Sequence, residues 1–170
     1  MVECPPSPLP VDTASVNWGA AIAAGIVAGI IATGAQVALW WAFLENAVPW
    51  YLYRDARLTA AILMGREVLP PPSTFDWKVM AIATLIHFVL SIAYSLILAS
   101  LISRLGAKAS LAAGLFYGLG IYVVNMYGMT FVFPWFSAVR DWITAVTHVV
   151  FGLSLAGIYK ALSRRYSQRF

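Results

Sequence analysis

The chain has 170 residues, 61% of them hydrophobic and 11% charged, with a formal net charge of +4. Soluble domains run at roughly 45–50% apolar and about 25% charged, and a chain this short exposes too much surface to hide the excess in a core. That balance excludes an ordinary soluble domain and makes lipid the solvent that fits.

Met1 to Asp12 holds no Lys or Arg, is rich in proline and leads into a long apolar run, so it does not read as a cleavable signal. Residues 1–15 are expected to form a cytoplasmic N-terminus. Cys4 is the one cysteine, which leaves no internal disulfide, zinc cluster or CxxC pair. It reads as a free thiol, with lipidation the alternative.

A helix needs about 20 consecutive apolar residues to cross hydrocarbon. Charged residues leave four such gaps, from Asp12 to Glu45, Lys78 to Arg104, Lys108 to Arg140 and Asp141 to Lys160. They predict spans over 16–44, 79–103, 110–133 and 142–162, in one membrane domain of residues 16–165 with a basic tail at 166–170. The connection from Glu45 to Lys78 is long for a helical bundle. Within it Leu58, Ala61, Ile62, Gly65 and Leu69 fall on one helical face, and Pro70, Pro71 and Pro72 then stop any helix. The pattern predicts an amphipathic helix over about 55–69, lying in the outer interface.

With both termini inside, the inner segments carry Arg104, Lys108, Lys160, Arg164, Arg165 and Arg169. The outer ones carry Arg54, Arg57, Arg66, Lys78 and Arg140. The bias and the compact basic tail put the termini in the cytoplasm. The net positive charge then reads as anchoring beside anionic lipid, not nucleic-acid binding. Trp40, Trp41, Trp50, Trp77, Trp135 and Trp142 crowd the outer boundary, and Trp18 is alone at the inner one. The girdle is either an aromatic belt or an outer face that meets a partner membrane protein.

Two segments echo each other. Ala23-Ala24-Gly25-Ile26-Val27-Ala28-Gly29 matches Ala112-Ala113-Gly114-Leu115-Phe116-Tyr117-Gly118, and His87-Phe88-Val89-Leu90-Ser91 matches His148-Val149-Val150-Phe151-Gly152. The predicted fold is therefore an all-α integral membrane protein, a four-transmembrane-helix bundle. It would be built as a tandem two-helix repeat with a pseudo-two-fold axis along the membrane normal. Gly25 and Gly29, like Gly114 and Gly118, stand at the spacing that lets helix backbones approach closely. Gln36 and Asn125 continue the same faces.

Counted at about 1.5 Å per residue, Gln36 and Asn125 lie roughly 12 Å from the outer end, His87 roughly 13 Å and His148 roughly 10 Å. Each span thus places one strongly polar residue at nearly one depth, where such residues turn inward and pair. Thr84, Ser91 and Thr144 lie within a turn or so of the histidines and complete the polar layer. One reading is a hydrogen-bonded layer that fixes helix register. A second is a b-type haem between His87 and His148. Diagonal helices roughly 11–14 Å apart leave room for it, and Arg57, Lys78 or Arg140 could meet propionates. A third uses the histidines as proton-responsive groups or lines a path for a small solute. A bare metal ion lacks a carboxylate or thiolate partner, and there is no Ser/His/Asp arrangement, phosphate loop or carboxylate pair for catalysis.

The block Gly128-Met129-Thr130-Phe131-Val132-Phe133-Pro134-Trp135, taken with His87 and His148, resembles the YagU-like small bacterial inner-membrane proteins. It is also similar to short proteobacterial chains labelled sodium:proline symporter. The resemblance covers most of residues 18–165 and implies a multi-pass inner-membrane protein associated with acid resistance. The triple proline and the Arg/Asp-rich outer loop depart from it. The reading adopted is a small non-enzymatic bundle with a central polar site, alone or as an accessory subunit, with haem-based electron transfer and solute transport as alternatives.

Overall fold

The computed structural model describes residues 16–44 and 48–167; residues 1–15, with Cys4, and the last residues of the tail lie outside them. Five α-helices follow in order: α1 (Trp18–Phe43), α2 (Val48–Met64), α3 (Trp77–Ile102), α4 (Ala107–Val123) and α5 (Trp142–Ser167). A π-turn (Val124–Gly128) and a 3-10 turn (Met129–Phe131) continue α4, and a second 3-10 segment (Pro134–Val139) leads into α5.

Among the described residues four helices are long and apolar enough to cross a membrane: α1, α3, α4 with its extension, and α5. They form the four-helix bundle of a multi-pass membrane protein. The outward faces agree, since Phe116, Leu101 and Ile30 are 70%, 62% and 56% exposed. Water would oppose such exposure at about 25 cal/mol per Å², whereas lipid chains cover it without that cost.

The helix ends have local causes. Asn17 caps α1 by accepting from the Ala20 amide at 2.8 Å, and Asp76 caps α3 through the amides of Lys78 and Val79. The loop helix is displaced from the expected 55–69. It begins at Val48 because Pro49 is tolerated in a first turn, where its missing N–H would have no partner anyway. It ends at Gly65, whose φ of +90° suits a left-handed cap, with its N–H on the Ala61 carbonyl at 3.1 Å. One face of α2 packs on the bundle. Ala56 and Ala60 pack with Val79 and Ala83 of α3, and Leu58 packs with Met126 and Val139. It closes the end of the bundle opposite the termini. At the other extreme α5 runs past the expected 162 to Ser167.

In the bundle α1 lies between α3 and α5, α4 packs on α5, and α3 and α4 touch only sparingly. Small side chains set the spacing. Ala20, Ala21, Ala24, Ala28 and Ala32 of α1 meet Leu98, Ile102, Leu155 and Tyr159 in one core, in the half that holds the termini. Where α1 crosses α3, a Cβ on Gly25 would stand 2.9 Å from the Ser91 carbonyl, and one on Gly29 3.0 Å from Ser91 Oγ. Where α4 crosses α5, a Cβ on Gly114 would stand 2.5 Å from the Gly152 carbonyl, and one on Gly118 would overlap the His148 carbonyl. Polar ties secure both crossings. Ser95 Oγ donates to the Ala21 carbonyl at 2.5 Å, and Lys160 of α5 caps the end of α3 at the Ser103 carbonyl, 3.0 Å away.

Gly118 and Gly120 provide a contrast within one helix, since a Cβ on Gly120 meets nothing within 4 Å. Gly118→Ala should destabilise the bundle by about 1–3 kcal/mol through overpacking against backbone. Gly120→Ala should be neutral or slightly stabilising through helix propensity. Thermal unfolding in detergent measures both, and equal effects would place Gly118 outside the α4–α5 contact.

Candidate functional site

Above the core, towards α2, the helices leave a partly open cavity of about 650 Å³. Its walls are mostly apolar, and Ala32, Ile121 and Phe151 of the core also line it. His87, His148, Gln36, Asn125, Thr84, Ser91 and Thr144 all border this one cavity. Their hydrogen bonds fall into separate groups.

His87, half-buried on α3, points Nε2 at α1, 3.3 Å from the Gly29 carbonyl and 3.4 Å from Thr33 Oγ1. A carbonyl only accepts, so Nε2 carries the proton and Nδ1 is left as an acceptor. Thr33 in turn donates to the same carbonyl at 3.0 Å. The glycine at 29 is what lets the imidazole come so near the helix backbone, for a Cβ there would sit 3.1 Å from Nε2.

His148 on α5 is held in the other tautomer. Nδ1 lies 2.8 Å from the Thr144 carbonyl, so Nε2 accepts, from Asn125 Nδ2 at 3.4 Å. Asn125 Oδ1 accepts from Tyr94 Oη at 2.6 Å, and the Tyr94 carbonyl accepts from Tyr117 Oη at 2.9 Å. This chain bridges α3, α4 and α5 where α3 and α4 otherwise stand apart. Asn125 belongs to the π-turn, a feature that a straight α-helical count from Gly118 cannot anticipate. Within this turn the Met126 carbonyl accepts from Arg140 Nε at 2.5 Å.

Gln36 turns to α2. Its Nε2 donates to Asp55 Oδ2 at 3.2 Å, so the residue opposite it comes from α2. Asp55 Oδ1 accepts from Arg54 Nε at 2.7 Å, the one ion pair among the described residues. Asp55 is the site residue that sequence reasoning passed over. It stands one turn before Leu58, on the apolar face of α2, and an acid on that face was the available signal. Ser91 supports the α1–α3 crossing, Thr144 is buried, and Thr84 opens onto the cavity.

The donor set was tested against a bis-histidine haem. The Nε2 of His87 is turned onto the backbone of α1, and that of His148 onto Asn125, so the two do not face a common centre. Arg57 is taken up by the Val68 and Thr74 carbonyls and Arg140 by Met126 and Thr130, which removes both as propionate partners. The arrangement does not fit haem. Among the described residues no group of three His, Cys, Asp or Glu side chains is placed to hold a metal ion.

No family model, no curated protein and no solved structure matches the chain.

Burial, with a smaller contribution from Asp141, pushes the Asp55 carboxyl up to about 6 against an opposing pull from Arg54. A carboxyl raised above its unfolded value of 3.8 stabilises the fold in its protonated form. That contribution is complete below about pH 4 and is lost as pH rises through 6. The wild type should therefore lose about 1–3 kcal/mol of stability from this group between pH 4 and pH 8. Asp55→Asn, which keeps an acceptor for Gln36, should flatten that stretch of the profile. Thermal midpoints at the two pH values, wild type against variant, are the measurement.

Proposed function

We propose that this chain is a non-enzymatic membrane protein that holds a small, largely apolar molecule in the cavity beneath α2. The observation that carries the reading is the cavity itself. Ligand sites are concave spaces of about 300–1,000 Å³ with apolar walls and a few convergent polar groups. Here about 650 Å³ is bordered by apolar side chains and by His87, Asn125, Gln36 and Asp55. Every buried side-chain N or O atom among the described residues has a partner.

We place the protein in the bacterial inner membrane with both termini cytoplasmic, on the charge bias of its connections and tail. We read α1–α3 and α4–α5 as two copies of one unit. Support comes from the matched contacts: Gly25 and Gly29 meet α3 at Ser91, Ser95 and His87, and Gly114 and Gly118 meet α5 at Gly152, Ala156 and His148. The copies differ between themselves, for α1 packs closely on α5 whereas α4 stands off α3. Asp55, which borders the cavity and whose carboxyl burial pushes up to about 6, gives an association with acid stress a physical basis, because its protonation changes the charge on the cavity wall.

Thr33→Phe projects a ring into the cavity from α1. Protein purified in mild detergent should yield one lipophilic compound, in near-stoichiometric amount, on extraction and mass spectrometry. Thr33→Phe, with its thermal midpoint retained, should lose most of it. Equal recovery from both proteins would overturn the cavity as the binding site. A reporter fused after Phe170 should be active only in the cytoplasm, and periplasmic activity would reverse the orientation.

A further inference from the structure

The lining of the cavity narrows its ligand to a chemical class. Three of the five methionines of the chain, Met80, Met126 and Met129, border it together with Trp40, Phe136 and Phe151. Thioether sulfurs adapt their shape and associate with aromatic rings, and aromatic walls favour stacked or edge-on rings. Such a lining suits a flat aromatic body.

The polar groups fix where that body carries its oxygens. With Nε2 of His87 committed to the Gly29 carbonyl, Nδ1 is a bare acceptor that can take an O–H hydrogen bond. Asn125 is oriented by its partners. Its Oδ1 takes the Tyr94 hydroxyl and one N–H goes to His148 Nε2, which leaves a second N–H to donate. His87 belongs to the α1–α3 pair and Asn125 to the α4–α5 pair, so the acceptor and the donor stand on different walls. The carboxylate bordering the cavity, Asp55, is already shared between Arg54 and Gln36. A charged solute would meet no free counter-ion there, which favours a neutral ligand.

We infer that the cavity is a binding site for a quinone-class molecule, a lipid-soluble flat ring with oxygens on opposite edges. In the reduced form one O–H donates to His87 Nδ1, and the other oxygen accepts from Asn125 Nδ2. This assignment rests on the reading of the cavity as a ligand site.

The full-length protein is reconstituted in nanodiscs of synthetic phosphatidylcholine and titrated with a decyl-chain ubiquinone analogue, following tryptophan fluorescence. In a parallel arm the titrant is 1-bromodecane, a non-aromatic quencher of similar length. Trp40 is the tryptophan of the cavity wall, so quinone quenching should be saturable and that component should vanish in Trp40→Phe. Asn125→Leu should weaken quinone binding by about tenfold, the worth of one hydrogen bond. Met126→Leu, nearly volume-neutral and therefore expected to fold, should weaken it about threefold if its sulfur contacts the ring. Saturable quenching by bromodecane, abolished in Thr33→Phe, with none by the quinone would overturn the quinone assignment and leave the cavity reading standing. Quinone binding indifferent to both Asn125→Leu and Met126→Leu would overturn the assignment as well. Saturable quenching by neither compound would overturn both.

Discussion

The close approach of helix backbones through glycine is the constraint on which the rest of the molecule depends. Lipid offers helices no hydrophobic reason to associate, so packing must come from van der Waals contact at short range. Gly114 and Gly118 let α4 rest against the α5 backbone at Gly152 and His148, and Gly25 and Gly29 let α1 meet Ser91 of α3. With the helices held at these crossings, alanines and a few large side chains fill the half near the termini. The half towards α2 does not close, and the cavity is what remains.

Inside that opening the polar groups obey the rule for a medium without water, namely that each must find a partner in the protein. His87 reaches a backbone carbonyl that glycine leaves uncovered. His148 uses its own helix on one side and an amide on the other. The same rule explains the α4 extension. The π-turn brings the Met126 carbonyl to Arg140, which donates to it. The unwound stretch aims Asn125 at Tyr94 and His148 and so links α3 to α4 where side-chain packing does not. π-turns recur at functional sites for this reason.

Charge is concentrated at the α2 end and is mostly spoken for. Arg54 holds Asp55 and lies 4.8 Å from the Tyr51 ring centroid. Arg57 ties α2 to the segment that follows it, and Trp135 donates to the Leu58 carbonyl at 2.9 Å. The basic residues that look like surface charges in the sequence are, in the fold, fasteners of a cap. Trp41, Trp77 and Trp142 remain exposed around it.

The spans were legible from the sequence because transfer into lipid is a local property: four charge-free runs of sufficient length need no knowledge of neighbours. The packing glycines were legible for a similar reason, since spacing along a helix fixes which residues share a face. His87, His148, Gln36 and Asn125 stood out as one strongly polar residue on each apolar span, and all four border one cavity. Their partners could not be read from the sequence. Asp55 reaches Gln36 only because α2 folds over the bundle, Asn125 turns where α4 changes pitch, and each imidazole's free nitrogen depends on which carbonyl lies within 3.3 Å. The contacts of Gln36 and His87 join segments 19 and 58 residues apart, and even the local ones, at His148 and in the π-turn, take their meaning from what packs against them, which only the tertiary structure sets.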